Sequence, residues 1–378
     1  MGIDAVADKK IILIAGAPSH GPGDHEFNAG CHLLKKCLDR VPGTRVEIYN
    51  MGWPKDESAL ETADAIFIYA DGGGRHPAMQ EARSHLIDRL VKKGVGIGCG
   101  HYGVEVPAGD PGETMHRWIG GYYEHEFSVN PMWSPDFRTF PDHPVTRGVR
   151  PFKLLDEWYF NMRWRPAMSG VTPILVAKPS NDVRDGPYVY PKGPYRHIQD
   201  AKGREEVMMW TFERDDGGRG FGFTGGHKHV NWSDDNVRKL VLNALLWIAK
   251  VEVPSNGVES RLSTADLTKN LDPKKDSDAL PRVAGEWNLE VETDAGTGNP
   301  TFEFVQAGNN LVGQYDGLFG TAHVTGSVRG NDISFWFDAD YDGDEFAVRY
   351  EGTVQSDGTM KGTVEIGDLM AGDWTASK

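Results

Sequence analysis

The chain of 378 residues is predicted to fold as an α/β sandwich followed by an antiparallel β-barrel domain. Three observations carry that expectation. Over residues 9–250, short apolar runs ending in glycine alternate with amphipathic helical stretches, the pattern of a parallel sheet with crossover helices. Residues 251–280 are polar, contain Pro254 and Pro273 and a Lys-Lys-Asp-Ser-Asp run, and read as a linker. Residues 281–378 switch to short alternating segments split by Gly, Asn and Asp. That is the signature of an antiparallel barrel or sandwich; about eight strands fit, and the barrel is the form expected.

The elements follow in order. The run 11–15 ends in Gly16 and reads as a buried parallel strand. A helix is expected over about 26–40, with Phe27, Cys31, Leu34 and Leu38 on one face. Strands follow at 45–49 and 65–70, a helix at about 78–93, and a fourth strand at 94–98. Residues 101–200 are irregular and rich in Pro, Trp and Tyr, which suggests a functional insertion. Strands return at 206–212 and 220–224. The helix at about 234–250 places Val237, Leu240, Val241, Ala244, Leu245 and Ile248 at helical spacing.

Charge narrows the function classes. The net charge is −15, and residues 281–378 alone carry 17 acidic against 5 basic residues. An acidic surface argues against nucleic acid or an anionic membrane as partner and suits a neutral small ligand. No apolar run approaches the roughly 20 residues of a membrane span. Cys31, Cys37 and Cys99 leave no complete disulfide framework and read as buried free thiols. Ala5-Val6-Ala7 before Asp8-Lys9-Lys10 looks like the tail of a signal-peptidase site, which points to a periplasmic or secreted protein, with the cytoplasm as the alternative. A homo-oligomer is compatible with all of this.

Twelve of the thirteen histidines precede residue 230, and several sit where strands end. The first strand runs toward His20 and His25, the third ends in Asp71-Gly72-Gly73-Gly74-Arg75, the fourth in His101-Tyr102, and a late strand in His227-Lys228-His229. Parallel neighbours would bring all four tips to one rim, where α/β sheets bind ligands. Any one of these histidines alone reads more simply as a satisfied core or surface residue.

The motifs together resemble the ThuA-like family of sugar-utilisation proteins. They are His20-x4-His25-Glu26-Phe27, the Asp71-Gly-Gly-Gly turn, Gly96-Ile97-Gly98-Cys99-Gly100-His101-Tyr102, Asp156-Glu157-Trp158-Tyr159, and Gly225-Gly226-His227-Lys228-His229. The resemblance spans about residues 9–250. It implies a flavodoxin-like, class I glutamine amidotransferase-like fold, and a role in converting disaccharides such as trehalose, including their 3-keto forms. It also implies Glu157 or Asp156 as general acid/base, since the acidic pair is typical of that family. The alternative for the pair is a salt bridge to Arg163 or Arg165.

The amidotransferase comparison poses a sharper question. A nucleophile elbow needs small residues two before and two after the nucleophile. Gly96 and Gly100 meet that need, which puts the slot at Gly98, a residue without a side chain. Cys99 is one residue late and reads as structural. Glutaminase activity is therefore not expected, while His101 stays beside the elbow as a catalytic candidate.

Without a thiol, a metal or an acid/base pair must do the chemistry. Neutral imidazoles with carboxylates suit Zn, Mn or Fe. The metal candidates are His20, His25, His125, His227 and His229; on an extended segment the last two would face the same side. The alternative is a set of hydrogen-bonded histidines around a sugar pocket without metal. No nucleotide cofactor is indicated. Asp71, Arg75, Tyr102 and Trp53 are the expected substrate contacts. Trp118, Tyr122, Tyr123, Trp133, Trp158 and Trp232 would either stack on sugar or anchor loops. Asp338, Asp340 and Asp342 imitate a calcium loop, but Arg349 stands where glutamate is needed, so a hairpin turn at Asp342-Gly343 is expected. The leading reading is a carbohydrate-active enzyme of glycoside hydrolase or lyase type; its rival is a non-catalytic sugar-binding module with an interaction barrel.

Overall fold

The computed structural model describes residues 8–275, 280–367 and 370–378, so the Ala5-Val6-Ala7 motif lies outside the described residues. The chain divides into two compact units. The first takes the residues up to Ser19, Phe27–His227 and Asn231–Leu262; the second takes His20–Glu26, Lys228–Val230 and Ser263–Lys378. No helix among the described residues is long and apolar enough to cross a membrane.

The first unit is built on a seven-stranded sheet. Its strands are β1 (Lys9–Ala15), β2 (Thr44–Tyr49), β3 (Ala65–Tyr69), β4 (Gly96–Gly100), β5 (Val171–Ala177), β6 (Glu206–Glu213) and β7 (Arg219–Phe223), in the order β5-β6-β7-β4-β3-β1-β2. The run from β7 to β2 is parallel throughout, and β6 is antiparallel to both its neighbours. The flanking helices are α1 (Phe27–Leu38), α2 (Glu81–Lys92), α3 (Asp110–Trp118) and α4 (Asp235–Ile248). Side chains alternate across a strand, so Ile12, Ile14, Ile66, Ile68, Ile97 and Cys99 share one face and pack with Leu86, Leu90, Met115 and Trp118 of α2 and α3. Helices α1 and α4 contact each other. This is the flavodoxin-like α/β arrangement.

The fourth strand lies two residues later than its sequence suggests, and the reason is packing. The glycines of Gly96–Gly100 are needed along the strand rather than at a turn. A Cβ on Gly98 would meet the Phe221 ring at 2.2 Å, and one on Gly100 the Phe67 ring at 2.7 Å. The insertion between α3 and β6 is held by short strand pairs, among them Met132–Trp133 against Asp156–Glu157. Trp133 and Trp158 of the insertion are buried anchors, and Trp118 of α3 and Trp232 are buried as well.

The second unit is a closed eight-stranded antiparallel barrel. Its strands are Gly285–Thr293, Thr301–Ala307, Asn310–Gly317, Gly320–Arg329, Asp332–Tyr341, Asp344–Val354, Met360–Ile366 and Met370–Ser377, each paired with the next. The last closes onto the first from Asn288↔Ser377 to Thr293↔Gly372, which removes the free edges of an open sheet. Inward positions carry Trp287, Phe302, Phe304, Tyr315, Phe335, Phe337, Tyr350 and Trp374, and the Phe335 and Tyr350 rings stack at 4.7 Å. Asp342 (φ 55°) and Gly343 (φ 90°) form the expected hairpin turn. Ahead of the barrel, helix Thr264–Leu267 is capped reciprocally by Ser263 and Asp266. Lys274 reaches the Gly21 carbonyl at 3.2 Å and the buried Glu26 carboxylate at 3.0 Å, fastening the 20–26 segment within this unit.

Candidate functional site

Strands β3, β4 and β7 are parallel neighbours, so their carboxyl ends open on one rim of the first unit. Asp71 follows β3, His101 follows β4, and Thr224 to His227 follow β7. His101 is fully buried and has φ 50°, a conformation that side chains with a Cβ rarely adopt. A 3-10 turn, His101–Val104, follows at once. The strained strand-to-turn position of an elbow is therefore held by His101. The sequence placed it at Gly98, which lies inside β4. Cys99 is buried and free, and burial alone pushes its thiol far above the ordinary range. A thiol buried and held protonated in this way is poorly suited to attack.

The His101 ring is oriented from both sides. Nδ1 lies 2.9 Å from the Thr224 carbonyl, which can only accept, so Nδ1 carries a proton. Nε2 is 3.2 Å from the Tyr159 hydroxyl, 3.3 Å from His227 Nδ1 and 3.5 Å from Glu157 Oε2. His227 Nδ1 lies 2.6 Å from the same Oε2. Donor atoms of His101, Glu157 and His227 all fall within 4.8 Å of one another, and all three residues are buried. Two imidazoles and one carboxylate of this kind could hold a divalent ion.

Electrostatics separate the acids. Burial works to raise the Glu157 carboxyl, but hydrogen bonds and charge from His101 and His227 outweigh it and hold the group down at about 2. Its other oxygen accepts from Asn130 Nδ2 at 2.8 Å. Glu105 goes the other way: burial, then the charge of Glu157, push it up to about 7. Burial and the nearby Glu157 and Glu105 likewise raise Tyr159 well above the phenol range, so it stays a hydrogen-bond donor. Asp156 accepts from two backbone N–H groups, Gly226 N at 2.7 Å and Glu157 N at 2.9 Å. It clamps the loop that carries His227. Gly226 has φ 102° and its carbonyl accepts from the Tyr69 hydroxyl, so this turn requires glycine.

Each remaining sequence candidate has surroundings of its own. Asp71 accepts from the Ser19 hydroxyl at 2.8 Å, with Arg75 3.9 Å away. Tyr102 is half-buried; burial first, then Glu105, Asp71 and Glu157, raise its phenol to about 12. His125 stands half-exposed 3.9 Å from Glu105, outside the buried group. Trp53 is buried, with its N–H on Glu57 at 2.7 Å and Arg83 over its ring. His20 and His25 belong to the second unit, where their rings lie 3.6 Å apart. His229 also belongs to that unit and opens the 3-10 turn His229–Ser233. Burial lowers the His229 ring to about 4. Glu157 pairs with histidines, while Arg163 pairs with Glu124 at 2.7 Å. Sequence reasoning missed Glu105, Asn130 and Tyr159 as site residues. Tyr159 alone left a signal, two positions past Glu157 in the acidic–aromatic run.

Fold and site together define a flavodoxin-like α/β protein with a buried imidazole–carboxylate cluster at the carboxyl rim of its sheet. The chain belongs to the ThuA family, whose model, described as trehalose utilisation, matches residues 18–248. No curated protein matches it. Among solved structures, a ThuA-like protein of Bacteroides uniformis is 15% identical, with 66% of this chain and 94% of that one covered and a TM-score of 0.44. A GH42 β-galactosidase of G. stearothermophilus is 7% identical, with 97% and 40% covered and a TM-score of 0.38. A designed fluorescence-activating β-barrel is 18% identical, with 27% and 96% covered and a TM-score of 0.21. None of the three is similar enough to bear on chemistry.

Proposed function

We propose that the protein is a carbohydrate-active enzyme that cleaves or converts a glycoside or disaccharide, plain or oxidised to a 3-keto form. Membership of the ThuA family supports the carbohydrate. The observation that carries the enzyme reading is the convergence of His101 Nε2, His227 Nδ1 and Glu157 Oε2 in a buried space. Burying an ionised carboxylate between two imidazoles is expensive unless each group has a partner or a task. The donor set fits Zn, Mn or Fe, and such an ion, when bound, would polarise a sugar carbonyl or hydroxyl oxygen. His101 and His227 would hold the ion, with Glu157 Oε2 between them. Tyr159 would donate a hydrogen bond from its hydroxyl within the site, and Asp156 and Asn130 would keep the carboxylate and the His227 loop in place. In hydrolysis, a water adds across the glycosidic C–O bond and the leaving oxygen takes a proton.

The rival is a sugar-binding module without turnover, favoured by an elbow that carries histidine instead of a nucleophile. The two readings separate in one experiment. Protein purified without a His tag is assayed for metal content, then screened on plain and 3-keto disaccharides with and without EDTA. Metal at near one per chain and turnover abolished by chelator supports the enzyme. Sugar binding unchanged by EDTA, with no turnover, leaves the binding module.

A further inference from the structure

The aromatic residues that sequence reasoning offered for sugar stacking are mostly buried, whereas Tyr190, which it passed over, is exposed. Tyr190 is 70% exposed, and its neighbour Val189 is 36% exposed. Val189 and Tyr190 together put a small contiguous apolar patch in water.

The loop is tied to the site through one asparagine. Asn130 donates from Nδ2 to Glu157 Oε1 at 2.8 Å, while its Oδ1 accepts from the Tyr190 backbone N–H at 3.2 Å and its own carbonyl accepts from Val189 N–H at 3.2 Å. A single side chain therefore bridges the buried carboxylate and the backbone that presents the exposed ring. The Tyr190 ring lies 5.9 Å from that of His125, and His125 in turn stands 3.9 Å from Glu105. The loop is braced behind this face. Buried Tyr188 stacks on Tyr195, Tyr195 on His197, and His197 on Phe127. The ring of Tyr190 is thus held in water on a pre-ordered support, so little ordering entropy opposes a ligand that covers it.

We propose that Tyr190, with His125 beside it, is the stacking platform for the second ring of a disaccharide or glycoside whose first ring enters the Glu157 site. The apolar C–H face of a pyranose matches a half-exposed aromatic face. The ring supplies area, not hydrogen bonds, so it recognises the presence of a second ring more than its hydroxyl pattern. The proposal rests on the carbohydrate reading of the Glu157 site.

The test is a binding titration of wild type, Tyr190→Ala, Tyr190→Phe and Tyr190→Trp. The probes are trehalose, sucrose and cellobiose, their 3-keto forms, and glucose. Tyr190→Ala should weaken the tightest-binding disaccharide about tenfold or more, while Phe and Trp retain it and glucose binding does not change. Unchanged disaccharide affinity in Tyr190→Ala overturns the platform and leaves the site's function intact. Equal loss for glucose and disaccharide also overturns it, since the side chain would then be acting on the site's structure. Failure of the wild type to bind any of the sugars overturns the carbohydrate reading itself, and the platform with it.

Discussion

His227 Nδ1 lies 2.6 Å from Glu157 Oε2, and Glu157 reaches that contact from the insertion while His227 reaches it from the end of β7. The pair joins two stretches of chain that are 70 residues apart, and the Asp156–Gly226 bond beside it keeps both in register. If Oε2 shares an ion with the two imidazoles, Glu157→Gln should lower metal content and turnover together. Metal that stays bound while turnover falls 10²–10⁴-fold would instead make Glu157 a general acid/base beside the ion. Metal analysis and single-substrate kinetics on the same preparation distinguish the two.

Cys99→Ala should leave turnover within a few-fold of wild type. The thiol is buried in the sheet, faces the α2–α3 side and is held protonated by burial. The substitution should lower stability by on the order of 1 kcal/mol, the usual consequence of a small cavity. Complete loss of turnover in a folded variant would restore a thiol mechanism.

Acid should destabilise the first unit through His76. Burial is the larger influence on its ring and lowers it to about 4 from 6.5, against the raising effect of its bond to the Gly103 carbonyl at 3.0 Å. A folded value below the unfolded one means that the unfolded chain takes up the proton first. The contribution is therefore whole above pH 6.5 and is lost as pH falls from 6.5 to about 4, a loss of roughly 3 kcal/mol. Urea midpoints across that range should fall less steeply for His76→Gln than for wild type. Equal slopes would show that His76 does not govern acid sensitivity.

Much of this was legible in the sequence, and the exceptions have physical causes. Apolar runs of five to seven residues with β-strand character marked β1 and β3, and period-two alternation marked the barrel. Strand β4 was misplaced because glycine serves both turns and crowded strand interiors, and only the Phe221 and Phe67 rings reveal which applies. The tips that carry Asp71, His101 and His227 were found because parallel neighbours share an edge. Glu105 and Asn130 were not, since each reaches the site from irregular chain with no period to place it. The His227–His229 pair was offered on the condition of an extended backbone, and a 3-10 turn begins at His229.

The last prediction concerns the strain at His101. Replacing this fully buried ring by alanine or glycine removes the same contacts, with the Thr224 carbonyl and the Tyr159 hydroxyl each losing a partner. If the proposed metal-assisted site is right, both variants should lose metal binding and turnover alike. Their stabilities should differ, and in the direction opposite to an ordinary strand or helix, where alanine is the better residue. At φ 50° the alanine Cβ still crowds the following carbonyl, and glycine does not. His101→Gly should accordingly be more stable than His101→Ala by about 1 kcal/mol, read from urea midpoints at constant m-value. An alanine variant at least as stable as the glycine one would mean that the backbone relaxes once the ring is gone. The positive φ would then be imposed by the imidazole's bonds rather than by the fold. The expected order places the strain in the elbow itself, with the ring of His101 held where the turn puts it.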